Sequence, residues 1–415
     1  MTETKKQMQG GSIALVALLG LLTAVDSLGI DMYLPAFGAM ESDYGLAAGS
    51  MSLSLSFFMC GLAVGQGVCG PLADRWGRRR PLFAGILLFG LASAAAAVST
   101  SFEMLLAARF VQGLGGAACL VIPRTITSDL YDEKESATIF TILMQVQSVC
   151  PILAPVIGAY LLLHVQWQGI FWILAVCGGL GALAVWLMVP ETGKQNETEN
   201  NDFGNAVKRL IGCRRYWLMT LSFASLMGAL FSYIGSSSFI YVTLFQASAT
   251  EFSLYFGLNS LGVIAFGLIS VRMLRVMPLK RALALSFAVH SIACFLLVVA
   301  LAVGLNSKIA TIVLLFFVVA SLGLLFGGLT SETMYSVPRD LAGAASAVLG
   351  VLQYAAASLS GLVIGWFQAK TLMPIAAVLT GFTMVSVLLW FLGSRVAKPD
   401  DLTGHAREMG KEPAS

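Results

Sequence analysis

The stretch that decides the fold is IALVALLGLLTAVDSLGIDMYLPAF, residues 13–37. It is long enough to cross a bilayer, which takes about 20 mostly apolar residues. Yet it carries two carboxylates, Asp26 and Asp31, followed by Pro35. A charged side chain near the membrane centre costs about 2.5–3.5 kcal/mol on insertion scales. Such acids face a protein cavity, pair with a partner, or carry protons. The rest of the chain must supply their surroundings.

Composition agrees with a membrane setting. Of 415 residues, 57% are hydrophobic and only 11% charged, against about 25% charged in soluble domains. The net charge of +3 does not point to nucleic acid, because the basic residues sit in short connecting loops. The seven cysteines show no metal-ligand spacing, and most lie inside apolar runs; they read as small packing residues, with no disulfide framework and no metal. The first apolar run is too long for a cleavable signal, and no Ala-x-Ala site follows it.

Apolar runs predict twelve spans, near 12–36, 50–71, 81–99, 103–128, 137–162, 169–189, 216–245, 251–273, 280–304, 308–334, 341–367 and 372–394. The predicted class is therefore an all-α membrane protein. A long polar connection splits the chain into an N-terminal six-helix bundle (1–190), a central loop (191–215), a C-terminal six-helix bundle (216–397) and a tail (398–415). Within the loop, Phe203, Val207, Leu210 and Ile211 share one helical face, which predicts a short helix on the membrane surface. Of the 25 Lys and Arg residues, 21 fall in segments on one side. Lys308 and Lys370 lie on the other, and Arg109 and Arg124 are within spans. By the positive-inside rule both termini are expected in the cytoplasm.

The loop between the second and third spans reads GPLADRWGRRRPL, residues 70–82. It resembles the signature loop of the major facilitator superfamily, with Gly70, Asp74, Arg75, Gly77 and Arg78 in fixed register. Gly70 and Gly77 are expected to permit tight turns. The resemblance implies a fold of two six-helix halves, and a cytoplasmic latch formed by Asp74 and Arg78 with Asp129 at the end of the fourth span. The corresponding loop of the second half, 272–281, keeps the basic residues and lacks the acid.

The fourth span contains LLAARFVQGLGGAA, residues 105–118, similar to the superfamily's arginine-bearing motif. Arg109, Gln112, Gly113 and Gly116 share a face. Counted at about 1.5 Å per residue, Arg109 and Asp31 each lie about 9 Å from the non-basic face. A pair or a shared water network between them is expected, either static or proton-linked. Asp26 and Asp31 project about 140° apart on a helix, so they are expected to point in different directions. Asp26, nearer the midplane, is the candidate for cargo contact.

The fifth span holds SVCPILAPVIGAY, residues 148–160, with Pro151, Pro155 and Gly158. These predict a kink with a small-residue face, similar to the helix that proton-coupled exporters of the superfamily carry here. Together with DMYLPAF (31–37), APVIGAYL (154–161) and AGAASAVLGVLQY (342–354), these runs make the chain resemble the Bcr/CflA-type bacterial drug–proton antiporters. The resemblance implies export of small, diverse compounds across the bacterial inner membrane in exchange for protons, with Asp31, Arg109 and Asp26 as coupling residues. The partners it implies are a small-molecule substrate, protons and the lipid bilayer, and the protein is read as a monomer. Further cavity candidates are Tyr33, Gln112, Gln145, Tyr233, Asn259, Gln353 and Tyr354; of Gln145 and Gln147, only one can be central. His290 reads as a packed histidine, and Glu332 as interfacial. A proton-coupled transporter of one metabolite remains the alternative, and a channel or membrane sensor a more distant one. No catalytic triad, phosphate-cradling loop or metal cluster appears, so neither enzymatic activity nor a cofactor is expected.

Overall fold

A computed structural model describes residues 3–192, 200–304, 307–338, 341–367 and 371–396. Fifteen α-helices are described: α1 (Glu3–Thr23), α2 (Val25–Asp31), α3 (Phe37–Asp43), α4 (Ser52–Trp76), α5 (Arg79–Ala97), α6 (Phe102–Leu130), α7 (Glu133–Leu162), α8 (Trp167–Met188), α9 (Asn200–Ile211), α10 (Arg214–Ser238), α11 (Ala249–Val276), α12 (Leu279–Ala302), α13 (Lys308–Met334), α14 (Ala342–Phe367) and α15 (Leu372–Gly393). Twelve stretches among them are long and apolar enough to cross a membrane.

The first span departs from expectation. It runs on to Asp43 and is broken in two places. The Thr23 hydroxyl turns back onto the Gly20 carbonyl, at 2.8 Å, where α1 gives way to α2. Past Asp31 the chain tightens into a 3₁₀ turn, Leu34–Ala36, with Pro35 in its first turn. Proline lacks the N–H that a continuing α-helix would need, but it suits the start of a helical turn. An unbroken apolar run conceals such a break.

Glycines set the packing within each half. A β-carbon on Gly61 would sit 2.1 Å from the Phe110 carbonyl oxygen, and one on Gly113 would sit 2.0 Å from that of Phe58. Thus α4 and α6 touch backbone to backbone. In the second half α11 and α13 do the same, since a β-carbon on Gly323 would lie 2.1 Å from the Val263 oxygen. Small residues admit such approach in a bilayer, where the hydrophobic effect does not press helices together. The halves meet along α4 and α14, where a β-carbon on Gly361 would come within 2.0 Å of Ser56 Oγ.

The central connection does contain a helix, α9, and the following span starts at Arg214. Leu210 is fully buried in a cluster with Tyr216, Val337 and Leu341, while Val207 packs against its edge. Ile211 is exposed. The helix is therefore docked on the second half as well as amphipathic. Phe203's side chain and residues 398–415 lie outside the described set.

Candidate functional site

A cavity of about 320 Å³ lies between the halves. Its walls come from α2, α7, α10, α11, α13 and α14. Asp26, Ser27, Ile30 and Asp31 line it together. On a helical wheel Asp26, Ile30, Ser27 and Asp31 follow one another through about 140°. The two carboxylates therefore bound one continuous arc, and the expectation that they point to different places is corrected. Both edges of this arc reach the same space.

The second half answers with Tyr233, Phe231, Phe256, Asn259, Gln353 and Tyr354. The Tyr354 hydroxyl donates to Asp26 Oδ2 at 3.4 Å, a bond that crosses between the halves. Asn259 Nδ2 donates to the hydroxyls of Tyr233, at 2.7 Å, and Tyr241, at 3.0 Å. From α7, Gln147 and Pro151 complete the wall. Gln147 accepts a bond from Arg124 Nη2 at 3.1 Å, and Arg124 lies within electrostatic reach of Asp26.

Three expected lining residues are not there. Gln145 is exposed. Tyr33 is fully buried, its hydroxyl 2.8 Å from Ser54 Oγ. Gln112 is fully buried and donates to Ser93 Oγ at 2.7 Å. Both Tyr33 and Gln112 belong instead to the surroundings of Arg109, behind the cavity wall. Of the pair or shared water network expected between Arg109 and Asp31, the direct ion pair is not formed among the described residues. The guanidinium donates to Gln112 Oε1, and to the Gly29 carbonyl at 2.8 Å. Its central carbon lies 4.3 Å from the centroids of both the Tyr33 and Phe58 rings. Arg109 does lie at the level of Asp31, since its guanidinium meets Gly29 and Tyr33 on either side of it, but Asp31 faces the cavity, which Arg109 does not line.

The cavity is closed toward the face poor in Lys and Arg. Beyond Pro151 on α7, Pro155 accepts a bond from Ser253 Oγ of α11 at 3.0 Å. A β-carbon on Gly158 would strike the Met32 carbonyl oxygen at 1.8 Å, so α7 lies directly on the broken first span. Beyond Ile234 on α10, Gly235 faces Leu55, and Phe239 covers Gly49. In every case the seal residue lies nearer the non-basic face than the lining residues of the same helix. The prolines thus divide their work: Pro151 lines the cavity, whereas Pro155 and Gly158 belong to the seal.

On the basic face, Arg78 Nε lies 3.1 Å from Asp129 Oδ2. Glu191 adds an acceptor that was not expected, bonding the Arg78 backbone N–H at 2.6 Å. Gly77 has φ +81°, and a β-carbon there would lie 2.3 Å from Glu191. Only glycine meets both conditions. Gly70, expected at a turn, is inside α4, and a β-carbon there would meet open space. Arg75 is exposed, and the Asp74 side chain lies outside the described residues. Glu332 lies near the end of α13, toward the basic face as expected, and it is buried there in a pair with buried Arg215. His290 is bonded on both ring nitrogens, to Ser321 Oγ at 2.8 Å and Thr383 Oγ1 at 3.1 Å.

A family model described as Major Facilitator Superfamily matches residues 19–361. The chain belongs to the Major Facilitator Superfamily. It is 31% identical over 387 residues to an uncharacterized MFS-type transporter of Bacillus subtilis (strain 168), spanning 91% of this chain and 95% of that one. It is 25% identical to a bicyclomycin resistance protein homolog of Haemophilus influenzae, over 94% of this chain and 98% of the relative. These relatives bear out the likeness to Bcr/CflA-type transporters. The superfamily fold is also seen in a bacterial homolog of the human lysosomal transporter Spinster, with TM-score 0.70 and 14% identity over 93% of this chain and 97% of that one. The xylose transporter of E. coli gives TM-score 0.69 at 14% identity, over 93% and 97% of the two chains. This superfamily member is a multi-pass membrane transporter of small molecules and not an enzyme.

Gln147 was the lining residue within reach of sequence reasoning. It lies four residues before Pro151, on the same helical face. Glu191 carried no such signal, because it reaches Arg78 from a connection whose path only the tertiary fold sets.

Proposed function

We propose that the protein exports small, chemically diverse compounds, drugs among them, across the bacterial inner membrane by exchange for protons. The basic face is then cytoplasmic, both termini are in the cytoplasm, and the protein acts as a monomer. One observation carries the reading: two buried carboxylates line a cavity between the halves, each with an oxygen lacking a hydrogen-bond partner. A group that alternately holds a proton and cargo needs an unfilled position.

The seal toward the non-basic face supports a cytoplasm-facing arrangement of the halves, which rock to expose the cavity to either side. Facing outward, Asp31 takes a proton and cargo leaves. Facing inward, Asp31 returns the proton to the cytoplasm and cargo rebinds. Asp26, tied to Tyr354 and near Arg124, sits on the cargo side. Arg109 acts as a positioning residue, holding α2 by the Gly29 carbonyl. The Arg78–Asp129 contact, with Glu191 on the Arg78 backbone, steadies the cytoplasmic end of the first half as a latch.

The test is proton release when a panel of drugs and metabolites is added to the detergent-purified protein. Release in the parent and none in Asp31→Asn is expected. No release in the parent, or equal release in the variant, rejects the coupling. Uptake of the same panel into everted vesicles, with and without an uncoupler, reads the direction.

A further inference from the structure

The polar groups around the cavity are one-sided. Among the described residues, three lining oxygens are buried without a hydrogen-bond partner: Asp26 Oδ1, Asp31 Oδ1 and Asn259 Oδ1. No lining nitrogen is in that condition. A buried acceptor left unpaired costs about 1–3 kcal/mol, so three in one space mark a site shaped for donors.

Asn259 is the informative one, because it carries no charge and cannot be a proton carrier. It is 3% exposed, and both amide hydrogens are spent on the Tyr233 and Tyr241 hydroxyls. The tyrosines are themselves held: Tyr233 stacks on Phe256 with centroids 6.0 Å apart, and Tyr241 packs against Tyr255 at 5.4 Å. In this orientation the amide's carbonyl oxygen is left to the cavity. Around it Phe231, Ile234 and Phe256 provide an apolar wall. Neither intramembrane arginine lines this space, since Arg109 is walled off by aromatic rings and Arg124 is bonded to Gln147.

We infer that Asn259 is a fixed cargo anchor: its side-chain carbonyl accepts a hydrogen bond from an N–H or O–H of the transported molecule. The cargo class is uncharged or cationic compounds that carry such donors on an apolar body, and anions are excluded by the two carboxylates. This rests on the reading of the cavity as the cargo site, but not on proton coupling. A volume of about 320 Å³ is at the small end of the range for drug-sized ligands.

The experiment measures binding alone, by calorimetry on the full-length protein in detergent, with three probes that share one body. Chloramphenicol is neutral and offers two hydroxyls and an amide N–H; its 1,3-diacetyl ester has lost the hydroxyl donors; its succinate ester carries a carboxylate. The parent is expected to prefer chloramphenicol to the diacetyl ester by about tenfold, the worth of one well-made hydrogen bond. That preference is expected to shrink to about twofold in Asn259→Leu, a coupling between residue and donor that a general loss of packing does not produce. Succinate-ester binding is expected to be the weakest of the three.

A parent that does not bind chloramphenicol, or an undiminished preference in Asn259→Leu, overturns the inference. A succinate ester that binds as tightly as chloramphenicol overturns the exclusion of anions. Should Asn259→Leu not fold, Tyr241→Phe decides. It removes one of the two bonds that hold the amide without touching the cavity wall, and the preference should fall about threefold; an unchanged preference overturns the proposal. Donor-dependent binding without proton release would leave this inference standing and reject the coupling; the converse would reject the anchor alone.

Discussion

The two halves furnish the cavity with different chemistry. The first contributes groups that change charge, Asp26 and Asp31, with Arg124 close behind through Gln147. The second contributes neutral groups locked in place, the Tyr233–Asn259–Tyr241 cluster, together with Tyr354. At the basic face the contrast reverses. There the first half has an exposed contact, Arg78 to Asp129, while the second has a buried ion pair, Arg215 to Glu332. The two halves thus differ in charge at the cavity and in burial at the basic face. On the proposed mechanism one half switches and the other holds.

If that division is right, variants in the first wall should change coupling and variants in the second should change affinity. The largest effect expected is from Asp31→Asn. Uphill export in everted vesicles should drop to the level an uncoupler leaves, and its dependence on external acidity should vanish. Were the neutral variant to keep both, the first half would not be the switching half. At the basic face, Glu332→Gln strips the buried Arg215 of its counter-charge. Breaking a buried pair in this way costs about 3–5 kcal/mol, whereas Asp129→Asn removes an exposed contact worth about 1 kcal/mol or less. Thermal unfolding in detergent reads both, and equal losses would erase the contrast.

Within the first half, two glycines of similar appearance should part company. A β-carbon on Gly158 would meet the Met32 backbone, its carbonyl oxygen at 1.8 Å. Gly158→Ala should therefore force α7 off the broken first span and cost about 1–3 kcal/mol, as overpacking does. Gly70→Ala meets open space and should leave thermal unfolding unchanged. A transport defect in Gly70→Ala with normal stability would locate its close contact in the outward-facing arrangement.

How far the sequence speaks follows from the same residues. Twelve spans were legible because most apolar runs are bounded by charged or polar loops, and the family followed from the register of Gly70, Asp74, Arg75, Gly77 and Arg78. Tyr233, Asn259, Gln353 and Tyr354 were legible as polar side chains that a span would not otherwise bury. The break in the first span was not, since its apolar residues run through it without pause and only the Thr23 turn and the 3₁₀ segment reveal it. The common level of Asp31 and Arg109 was legible, but not that Asp31 turns to the cavity while Arg109 meets Gly29 and Tyr33 on either side of it. An arginine's need for acceptors and rings can be read from a sequence. That Tyr33, Phe58 and the Gly29 carbonyl would meet it, instead of a carboxylate, depends on three helices converging.

The smallest effect tests whether the walls communicate. Tyr354 reaches across from the holding half to Asp26 of the switching half, so this bond exists only while the halves keep their present spacing. At 3.4 Å it is long, and a bond of that kind adds about 0.5–1 kcal/mol. Tyr354→Phe removes it and leaves the ring. The balance of arrangements should then move about threefold toward the outward-facing one. In a cysteine-free background with Ser27→Cys, a membrane-impermeant maleimide applied from the cytoplasmic side should label the protein more slowly, by up to about threefold. An unchanged rate would mean that the hydroxyl meets Asp26 equally in both arrangements. The second half would then hold cargo without reporting on the first.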